Sequence, residues 1–322
     1  MKIAIVSFDL WGYNQEIANT LKKQNNEVSV INSALYSYTY KSIIDHLISF
    51  LKKTFFNRNI KKIHREDQTL KNILKLTHQD KILVVNPSLF SAEALNLLRN
   101  KTKEFIAFNN DSLSKVPLPK DNVHLFDRVY VFDQSDVNNK YQYAPNYIYN
   151  HKFILSFNDT KQSDVFNVQS GDKERLWKLN KIAQHLKAKD YKLNLFVKGK
   201  KRNKVDSSIQ FLNSKILNLN EVNEWIYNSK IILDIVKSNQ NGMSFRVMES
   251  MGLRKKLITT NQSIKDQDFY NPKNIFVIEN INNFNIPENF IETPYIDIPE
   301  NIYKEYTIEN WINKIFYQNK IN

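Results

Sequence analysis

Cysteine is absent from this 322-residue sequence, glycine is rare, and no long hydrophobic run occurs. The absence of cysteine excludes disulfides and thiolate metal sites. The six histidines show no HxxxH or HxH spacing, so the sequence does not indicate a zinc site, and we expect no metal and no cofactor. No stretch of about 18 uncharged apolar residues is available to span a bilayer. We therefore expect a protein that is soluble or bound peripherally to a membrane.

The opening stretch MKIAIVSFDL and the overall charge bear on location and partners. The apolar run is interrupted by Asp9 and has no small-residue cleavage site, which predicts a first β-strand, not a signal peptide, and a cytoplasmic location. The formal net charge of +13 favours an anionic partner: nucleic acid, membrane lipid or a phosphorylated substrate. Composition does not choose among these, and a codon-composition bias toward Lys, Asn, Ile and Tyr is an alternative explanation.

Strand and helix patterns alternate along both halves of the chain. In the first half they predict strands at 3–7, 27–31, 82–85, 104–108 and 128–132, and helices at 14–23 and 91–99. After a Pro- and Tyr-rich crossing at 141–150, they predict strands at 152–156, 192–197, 231–236 and 256–260, and helices at 173–187, 220–228, 244–251 and 307–317. This alternation predicts an α/β protein with two open parallel sheets, one in each half.

The five glycines mark positions where the backbone is under special demands. Gly12, Gly171, Gly199 and Gly242 lie at strand ends or strand-to-helix turns, where open α/β sheets bind ligands. At Gly242 a close ligand approach and a simple tight turn are both compatible with the sequence. Gly252 fits a helix C-cap. Neither GxGxxG nor GxxxxGK[ST] occurs, which argues against a dinucleotide or P-loop site.

The segment 234–261 combines a buried strand, a polar loop and a helix. Residues Asn241, Gly242 and Ser244 precede the helix, whose free N–H groups and positive dipole end suit a diphosphate. Arg246 adds a bidentate donor, and Glu249, on the same helical face, has the acceptors to bind two ribose hydroxyls. The alternative is an ordinary surface pair between Arg246 and Glu249.

Two phrases, NQNGMSFRVMESMGLRKKLITTN and IAFNNDSLSK, give the chain a family resemblance. In order and spacing it resembles the GT-B glycosyltransferases, especially bacterial enzymes of lipopolysaccharide or capsule assembly. The resemblance implies two Rossmann-like domains facing across a cleft: an acceptor-binding domain (1–150), a nucleotide-sugar-binding domain (151–303) and a C-terminal helix (304–322) crossing back to the first. It also implies that Glu249 binds the nucleotide ribose and that Arg246 and the loop of Gly242 and Met243 lie near the diphosphate or donor sugar.

One position departs from that family's pattern. Many retaining members have a second Glu eight residues before the first, where this sequence has Asn241. Asn can hydrogen-bond a sugar hydroxyl but carries no charge. Retention and inversion of the anomeric configuration therefore both stay open.

Further donor-side candidates follow two strands of the second half. Gly171 and Arg175 begin the helix 173–187, where they would form the lip of a donor site, and Asp172 is expected to be its N-cap. Lys198, in the run VKGKK that ends with Lys200 and Lys201, is a candidate to offset charge on the leaving diphosphate. A solvated lysine run is the alternative.

The first half offers candidates for the acceptor side and for a general base. Asp9, Asp111 and Asp133 each follow a predicted strand, and Asp111 is our preferred base, with an N-cap role as its alternative. Beside Gly12, Tyr13 and Asn14 are expected to line the acceptor side together with Asp9.

Residues 41–65 carry seven basic side chains against Asp45, with apolar residues on one helical face. The pattern predicts a basic amphipathic helix that docks on the anionic inner face of the cytoplasmic membrane, where a lipid-linked acceptor is presented. A core-packed helix with a solvated basic rim is the alternative.

Together these features predict a metal-independent glycosyltransferase that moves a sugar from a nucleotide-sugar donor to a growing bacterial surface glycan. A GT-B partner subunit that has lost catalysis is an alternative, for which Asn241 is the hint. A nucleic-acid-binding protein is disfavoured, because the sequence has no RNP, helix-turn-helix or zinc pattern and its basic residues are spread over both halves.

Overall fold

The computed structural model describes residues 1–56, 58–155, 161–200, 205–213, 216–238 and 240–318. The chain forms two compact units. The first contains residues 1–132 and 136–144, and the second contains residues 133–135 and 145–322. Among the described residues, no helix is long and apolar enough to cross a membrane.

The first unit is a parallel sheet with helices. Its strands are β1 (Lys2–Ser7), β2 (Glu27–Asn32), β3 (Gln79–Val85), β4 (Thr102–Asn109), β5 (Arg128–Val131) and β6 (Tyr141–Tyr143), in the order β2-β1-β3-β4-β5-β6. Its helices are α1 (Tyr13–Lys23), α2 (Ile43–Phe56), α3 (Ile60–Lys75) and α4 (Ala92–Arg99). Central strands such as β1 are apolar without alternation because both faces of the sheet are buried. Helix α1 buries the predicted face, Ile17, Ala18 and Leu21.

The second unit repeats this architecture. Its strands are β7 (Ser163–Ser170), β8 (Leu193–Lys198), β9 (Ile209–Phe211), β10 (Ser229–Asp234), β11 (Lys256–Thr259) and β12 (Ile275–Val277), in the order β12-β11-β10-β7-β8-β9. Its helices are α5 (Lys173–Lys187), α6 (Leu219–Tyr227), α7 (Phe245–Gly252), α8 (Asn289–Glu292), α9 (Glu300–Glu305) and α10 (Ile308–Ile312), and a π-helical turn covers Asn313–Tyr317. The fold class is therefore α/β with two Rossmann-like units, as predicted.

Each sheet has a point where the direction of strand succession reverses. In the first sheet β1 lies between β2 and β3, so the reversal falls between β1 and β3. In the second sheet β8 and β9 follow β7 on one side and β10 to β12 lie on the other, so the reversal falls between β7 and β10. Open α/β sheets bind ligands outside the carboxyl ends of the strands at such points.

The predicted strand at 152–156 is wrong over 152–155, and residue 156 lies outside the described residues. Residues 152–155 form no strand, and Ile154 is fully exposed. The first strand of the second unit is instead the more polar β7, in which the buried Asn167 donates from Nδ2 to the Leu233 carbonyl over 2.7 Å. A buried amide that is satisfied by the backbone hides this strand from a hydrophobicity pattern.

Two other local predictions need correction. Residues 41–65 form parts of two helices, α2 and α3, and not one. Gly252 is the last residue of α7 and not a C-cap, since the cap is Leu253. Glycine is needed there because a Cβ would lie 1.9 Å from Oδ1 of Asn150 and 2.8 Å from Cγ2 of Ile148.

The end of the described chain is anchored within the second unit. The Ile148 amide donates to the Tyr306 carbonyl over 2.7 Å, and the Ile308 amide donates to the Ile148 carbonyl over 2.9 Å. The Trp311 ring packs on Tyr147 with centroids 4.9 Å apart. Helix α10 confirms the predicted start of a helix near residue 307, and residues 319–322 lie outside the described residues.

Candidate functional site

The predicted donor residues of the second unit lie on both sides of its reversal point. Gly171 and Arg175 follow β7, and the loop 241–244 with helix α7 follows β10. Because β7 and β10 are neighbours, the sheet brings these two groups, which are about seventy residues apart in sequence, to one edge.

Asp234, which the sequence analysis did not single out, organises this edge. Its Oδ1 accepts a hydrogen bond from the Ser244 hydroxyl and its Oδ2 one from the Thr259 hydroxyl, both over 2.8 Å. Burial raises the pKa of the Asp234 carboxyl, and the cations of Arg246 and Arg175 oppose that rise. The sequence indicates Asp234 only by its position, as the single carboxylate at the end of the apolar run IILD.

Helix α7 begins as predicted, with Ser244 as its N-cap. The Ser244 hydroxyl oxygen accepts from the Arg246 amide over 3.1 Å, while the same hydroxyl donates to Asp234. One side chain thus fixes the start of the helix to the end of β10, and the helix N-terminus is held at the reversal point.

The loop before α7 is fixed through its backbone. Asn261 Nδ2 donates to the carbonyls of Asn241 and Gly242, each over 3.3 Å, and Asn146 Nδ2 donates to the Met243 carbonyl over 2.9 Å. The Ser263 hydroxyl also donates to the Asn241 carbonyl, over 2.6 Å. Through these contacts the carbonyl groups of the loop accept hydrogen bonds from side chains of the protein. The Asn261 that ends the phrase LITTN therefore supports the loop.

Arg246 and Glu249 form an ion pair, as their spacing predicts, but not a surface pair. Arg246 Nη2 lies 2.8 Å from Oε1 and 2.7 Å from Oε2 of Glu249, whose side chain is fully buried. The Tyr149 hydroxyl donates to Oε1 over 2.7 Å. The alternative of a surface pair is thus wrong, because the pair is buried. Binding of a ribose by Glu249 stays a prediction, and in this structure its carboxylate is engaged by Arg246 and Tyr149.

The residues after β7 and β8 are joined by their backbones. The Gly171 amide donates to the Lys198 carbonyl over 2.9 Å, and a Cβ on Gly171 would lie 3.0 Å from that oxygen. Arg175 contacts the carbonyl and hydroxyl of Ser170. Lys198 is partly buried at the end of β8, Lys200 is exposed, and Lys201 lies outside the described residues.

Asp172 is the N-cap of α5, as predicted. Its Oδ1 accepts from the amides of Glu174 and Arg175 over 3.0 and 3.1 Å. The cap orients the first turn of α5, from which the Arg175 side chain projects toward Ser170.

In the first unit, Asp9 shapes the loop between β1 and α1. Its Oδ1 accepts from the amides of Trp11 and Gly12 over 3.1 and 2.8 Å, and its Oδ2 accepts from the Asn14 amide over 2.7 Å. Gly12 has a φ of 99°, a left-handed conformation, and Tyr13 is the first residue of α1. The acceptor-side role of these four residues stays a prediction, and the carboxylate of Asp9 is engaged by backbone donors.

Asp111 and Asp133 have different surroundings. Asp111 is partly exposed after β4, and the turn that follows starts at Ser112, whose carbonyl accepts from the amides of Lys115 and Val116. Asp133 is buried, and its carboxylate accepts from the hydroxyl of Ser135 over 2.7 Å and from the amide of Asn241 over 3.0 Å. Of the two, Asp111 keeps the exposure that a general base needs.

Helix α2 presents its apolar face outward. Ile44, Leu47 and Phe55 are 69%, 57% and 73% exposed, and Ser49 is the only buried residue of the helix. The core-packed alternative for this segment is therefore wrong for α2. In contrast, α3 buries Thr69 and Ile73 against the first unit.

The fold is that of the GT-B glycosyltransferases. No protein-family model matches the sequence, and no curated protein matches it. Among solved structures, a lipopolysaccharide outer core galactosyltransferase, WaaB, in its apo form is similar at 12% identity over 98% of this chain and 99% of that one, with a TM-score of 0.50.

Two further structures are similar at the same level. A UDP-forming α,α-trehalose-phosphate synthase from Burkholderia xenovorans shares 12% identity over 97% of each chain, with a TM-score of 0.51. An α-glucosyltransferase in complex with UDP and a 13-mer DNA shares 13% identity over 99% of this chain and 95% of that one, also at 0.51. At these identities the likeness establishes the fold.

Proposed function

We propose that this chain transfers a sugar from a nucleotide-sugar donor to a bacterial surface glycan, either lipopolysaccharide or capsule. The observation that carries the proposal is the pair of cationic groups and the helix N-terminus at the reversal point of the second sheet. Arg175 contacts Ser170 at the end of β7, and Arg246 lies in the first turn of α7. Ser244 joins that helix to Asp234 at the end of β10. Guanidinium groups and free helix N–H groups are suited to a diphosphate.

The donor would lie with its diphosphate toward Gly171, Lys198 and the loop 241–244, and with its ribose toward Glu249. Catalysis would come from positioning and from cations that stabilise the leaving diphosphate, with Lys198 and Arg246 in that role. Asp111 would take the proton of the acceptor hydroxyl if the reaction inverts the anomeric centre. We propose that no metal is required, since the two cations supply the charge.

The test is calorimetric titration of the purified chain with UDP, GDP and CMP, followed by hydrolysis assays with the sugar donors of whichever nucleotide binds. Binding of one nucleotide with slow hydrolysis of its sugar conjugates is expected. A protein that binds none of the three would refute the proposal.

Lys198 and Lys200 provide a matched pair for the catalytic role. Lys198→Met is expected to lower the transfer rate constant by about tenfold or more, the effect of losing one stabilising charge. Lys200→Met removes the same charge from an exposed neighbour and is expected to leave the rate unchanged. Equal effects of the two substitutions would assign the lysines to general attraction of anions.

We also propose that α2 docks on the anionic inner face of the cytoplasmic membrane. The helix exposes an apolar face, and Lys52 and Lys53 lie beside it with further basic residues before and after the helix. Apolar burial and attraction to anionic lipid combine in such helices.

Vesicle co-sedimentation tests this docking. The double variant Phe55→Ser with Phe56→Ser should lose binding to phosphatidylglycerol vesicles, and wild type should bind phosphatidylcholine vesicles weakly. Leu74→Ser, which changes an exposed apolar residue of α3, is the control and should bind normally. Equal binding to neutral and anionic vesicles would contradict the electrostatic part of the proposal.

A partner subunit without catalytic activity is the second candidate, favoured by Asn241 in place of an acid and by the buried pairing of Glu249. Nucleotide binding without hydrolysis or transfer on any acceptor would favour it. Binding of nucleic acid in a gel shift, with no nucleotide binding, would instead revive the third alternative.

A further inference from the structure

A cavity of about 450 Å³ lies within the first unit. Helix α3 contributes Lys62, Arg65 and Glu66 to its wall, and the segment from Ser88 to Ser91 after β3 faces them. The wall is completed by Phe8, directly after β1, by Ser33, directly after β2, and by Thr69 and Ala94. The cavity therefore lies at the carboxyl ends of β1 and β3, the reversal point of this sheet, where ligands bind in open α/β proteins.

Arg65 is held in this cavity against an aromatic ring. Its guanidinium carbon lies 4.6 Å from the centroid of the Phe8 ring, a cation–π contact. Its Nε is buried and has no hydrogen-bond partner among the residues that the structure describes. A buried N–H donor of a permanently charged group is costly when it is left unsatisfied. The guanidinium is thus oriented by the Phe8 ring, and its Nε lacks an acceptor among the described residues.

The rest of the wall combines polar groups with apolar surface. The cationic side chains of Lys62 and Arg65 outnumber the carboxylate of Glu66, which leaves a net charge of +1 on the wall. Ser88 and Ser91 add hydroxyls, and Phe8, Leu89 and Phe90 add apolar surface. This mixture matches a sugar ring with one acidic group, because a ring has an apolar face, hydroxyls that bind Glu and Ser, and an oxyanion that binds the guanidinium.

We propose that this cavity binds an acidic sugar of the acceptor, with its carboxylate or phosphate on Arg65. This inference rests on the proposed transferase function, to which it adds the chemical class of the acceptor. The volume is in the range of small-molecule sites and large enough for a monosaccharide. Arg65 is the anchoring group, and Lys62 adds long-range attraction from an exposed position.

Calorimetric titration of the full chain with glucuronic acid, glucose 6-phosphate and glucose tests the assignment. The two anionic sugars separate carboxylate from phosphate recognition, and glucose removes the charge while keeping the ring. Wild type should bind at least one anionic sugar at millimolar concentration and bind glucose about tenfold more weakly or not at all. Failure to bind either anion, or equal binding of glucose, overturns the proposal.

Variants locate the site. Arg65→Met should weaken the anionic sugar by about tenfold. Arg65→Lys should weaken it less, since it keeps charge but lacks the planar fork. Arg58→Met makes the same charge change at an exposed residue outside the cavity and should change affinity by less than about twofold. Unchanged binding in Arg65→Met, or an equal loss in Arg58→Met, overturns the assignment.

Should Arg65→Met fail to fold, Lys62→Gln replaces it. This variant should bind the anionic sugar several-fold more weakly, and an unchanged affinity would count against the site.

Titration of the same preparations with nucleotide separates this inference from the function on which it rests. Arg65→Met should bind nucleotide as wild type does, because its change lies in the first unit. A wild-type chain that binds anionic sugars through Arg65 but no nucleotide would refute the transferase proposal and leave the cavity assigned. A wild-type chain that binds nucleotide but no anionic sugar would refute the assignment of the cavity alone.

Discussion

The hydroxyl of Ser244 and the buried carboxylate of Asp234 are joined by a 2.8 Å hydrogen bond that ties the first turn of α7 to the last residue of β10. The same serine oxygen caps the helix by accepting from the Arg246 amide. A single hydroxyl therefore supports both the fold of the second unit and the placement of the helix N-terminus on which the donor proposal depends.

Ser244→Ala should lower the free energy of unfolding by roughly 1–2 kcal/mol, as the loss of an N-cap does, and should also weaken nucleotide binding. Urea unfolding and nucleotide titration measure the two effects. Thr307→Ala removes the N-cap of α10, far along the chain, and should cost stability without changing nucleotide affinity. Equal nucleotide affinity in wild type and Ser244→Ala would separate the helix start from the donor site.

Asp234 should give the protein a distinctive pH dependence. Because burial raises its pKa above the ordinary value of 3.8, the folded state retains the proton to higher pH than the unfolded state does. Its contribution to stability is therefore complete below the ordinary pKa and is lost as pH rises through the raised pKa.

Asp234→Asn removes this titration while keeping the shape of the side chain. The unfolding free energy of wild type minus that of the variant should fall as pH rises from acid toward neutral, measured by urea unfolding at a series of pH values. A difference that stays constant over this range would show that the carboxyl titrates normally in the folded protein.

The buried pair of Arg246 and Glu249 should be sensitive to truncation. Glu249→Gln removes the charge that compensates a guanidinium which is largely buried, and losses of about 3–5 kcal/mol are typical of a buried pair that loses one partner. Tyr149→Phe deletes the hydroxyl that lies 2.7 Å from Oε1 of Glu249 and 3.4 Å from Oδ1 of Asn223, and it should cost about 1.5–3 kcal/mol. Urea unfolding of both single variants and the double variant measures the coupling. Additive losses would contradict a shared network.

Gly252 should tolerate no side chain. In Gly252→Ala the added methyl would overlap Oδ1 of Asn150 and approach Ile148, and overpacking of this kind costs about 1–3 kcal/mol. The midpoint of thermal unfolding should fall accordingly. Asn150→Ala in the same chain removes the nearest atom and should recover part of the loss relative to the sum of the two single variants. A fully tolerated Gly252→Ala would mean that α7 shifts away without cost.

Much of this architecture could be predicted because the local signals agreed with the final structure. The face of α1, the N-cap at Asp172 and the spacing of Arg246 and Glu249 depend on residues close in sequence. What the sequence hid depended on distant partners. Strand β7 is stabilised by the contact of Asn167 with Leu233, and Glu249 is buried against Tyr149, a hundred residues away. No local pattern carries such pairings.

The cavity escaped prediction for the same reason. Phe8, Arg65 and Ser91 belong to three separate stretches, and only the strand order places them around one space. The basic stretch 41–65 showed an amphipathic pattern, but its end was assigned to a surface, whereas Arg65 turns into the wall of that space.

The strand order of the first sheet determines which segment of this protein can change in sequence and length without disturbing the sheet. The second sheet follows the 3-2-1-4-5-6 order of doubly wound folds. In the first sheet β2 is the edge strand among the described residues, and α2 and α3 lie in the chain between β2 and β3. Both helices thus belong to one connection that leaves the sheet after β2 and returns to it at β3. The length and the surface residues of such a connection can change while every strand pairing is kept. Exchanging this connection between two chains with the same pair of sheets would therefore change two features together: the exposed apolar face of α2 and the part of the cavity wall that α3 supplies.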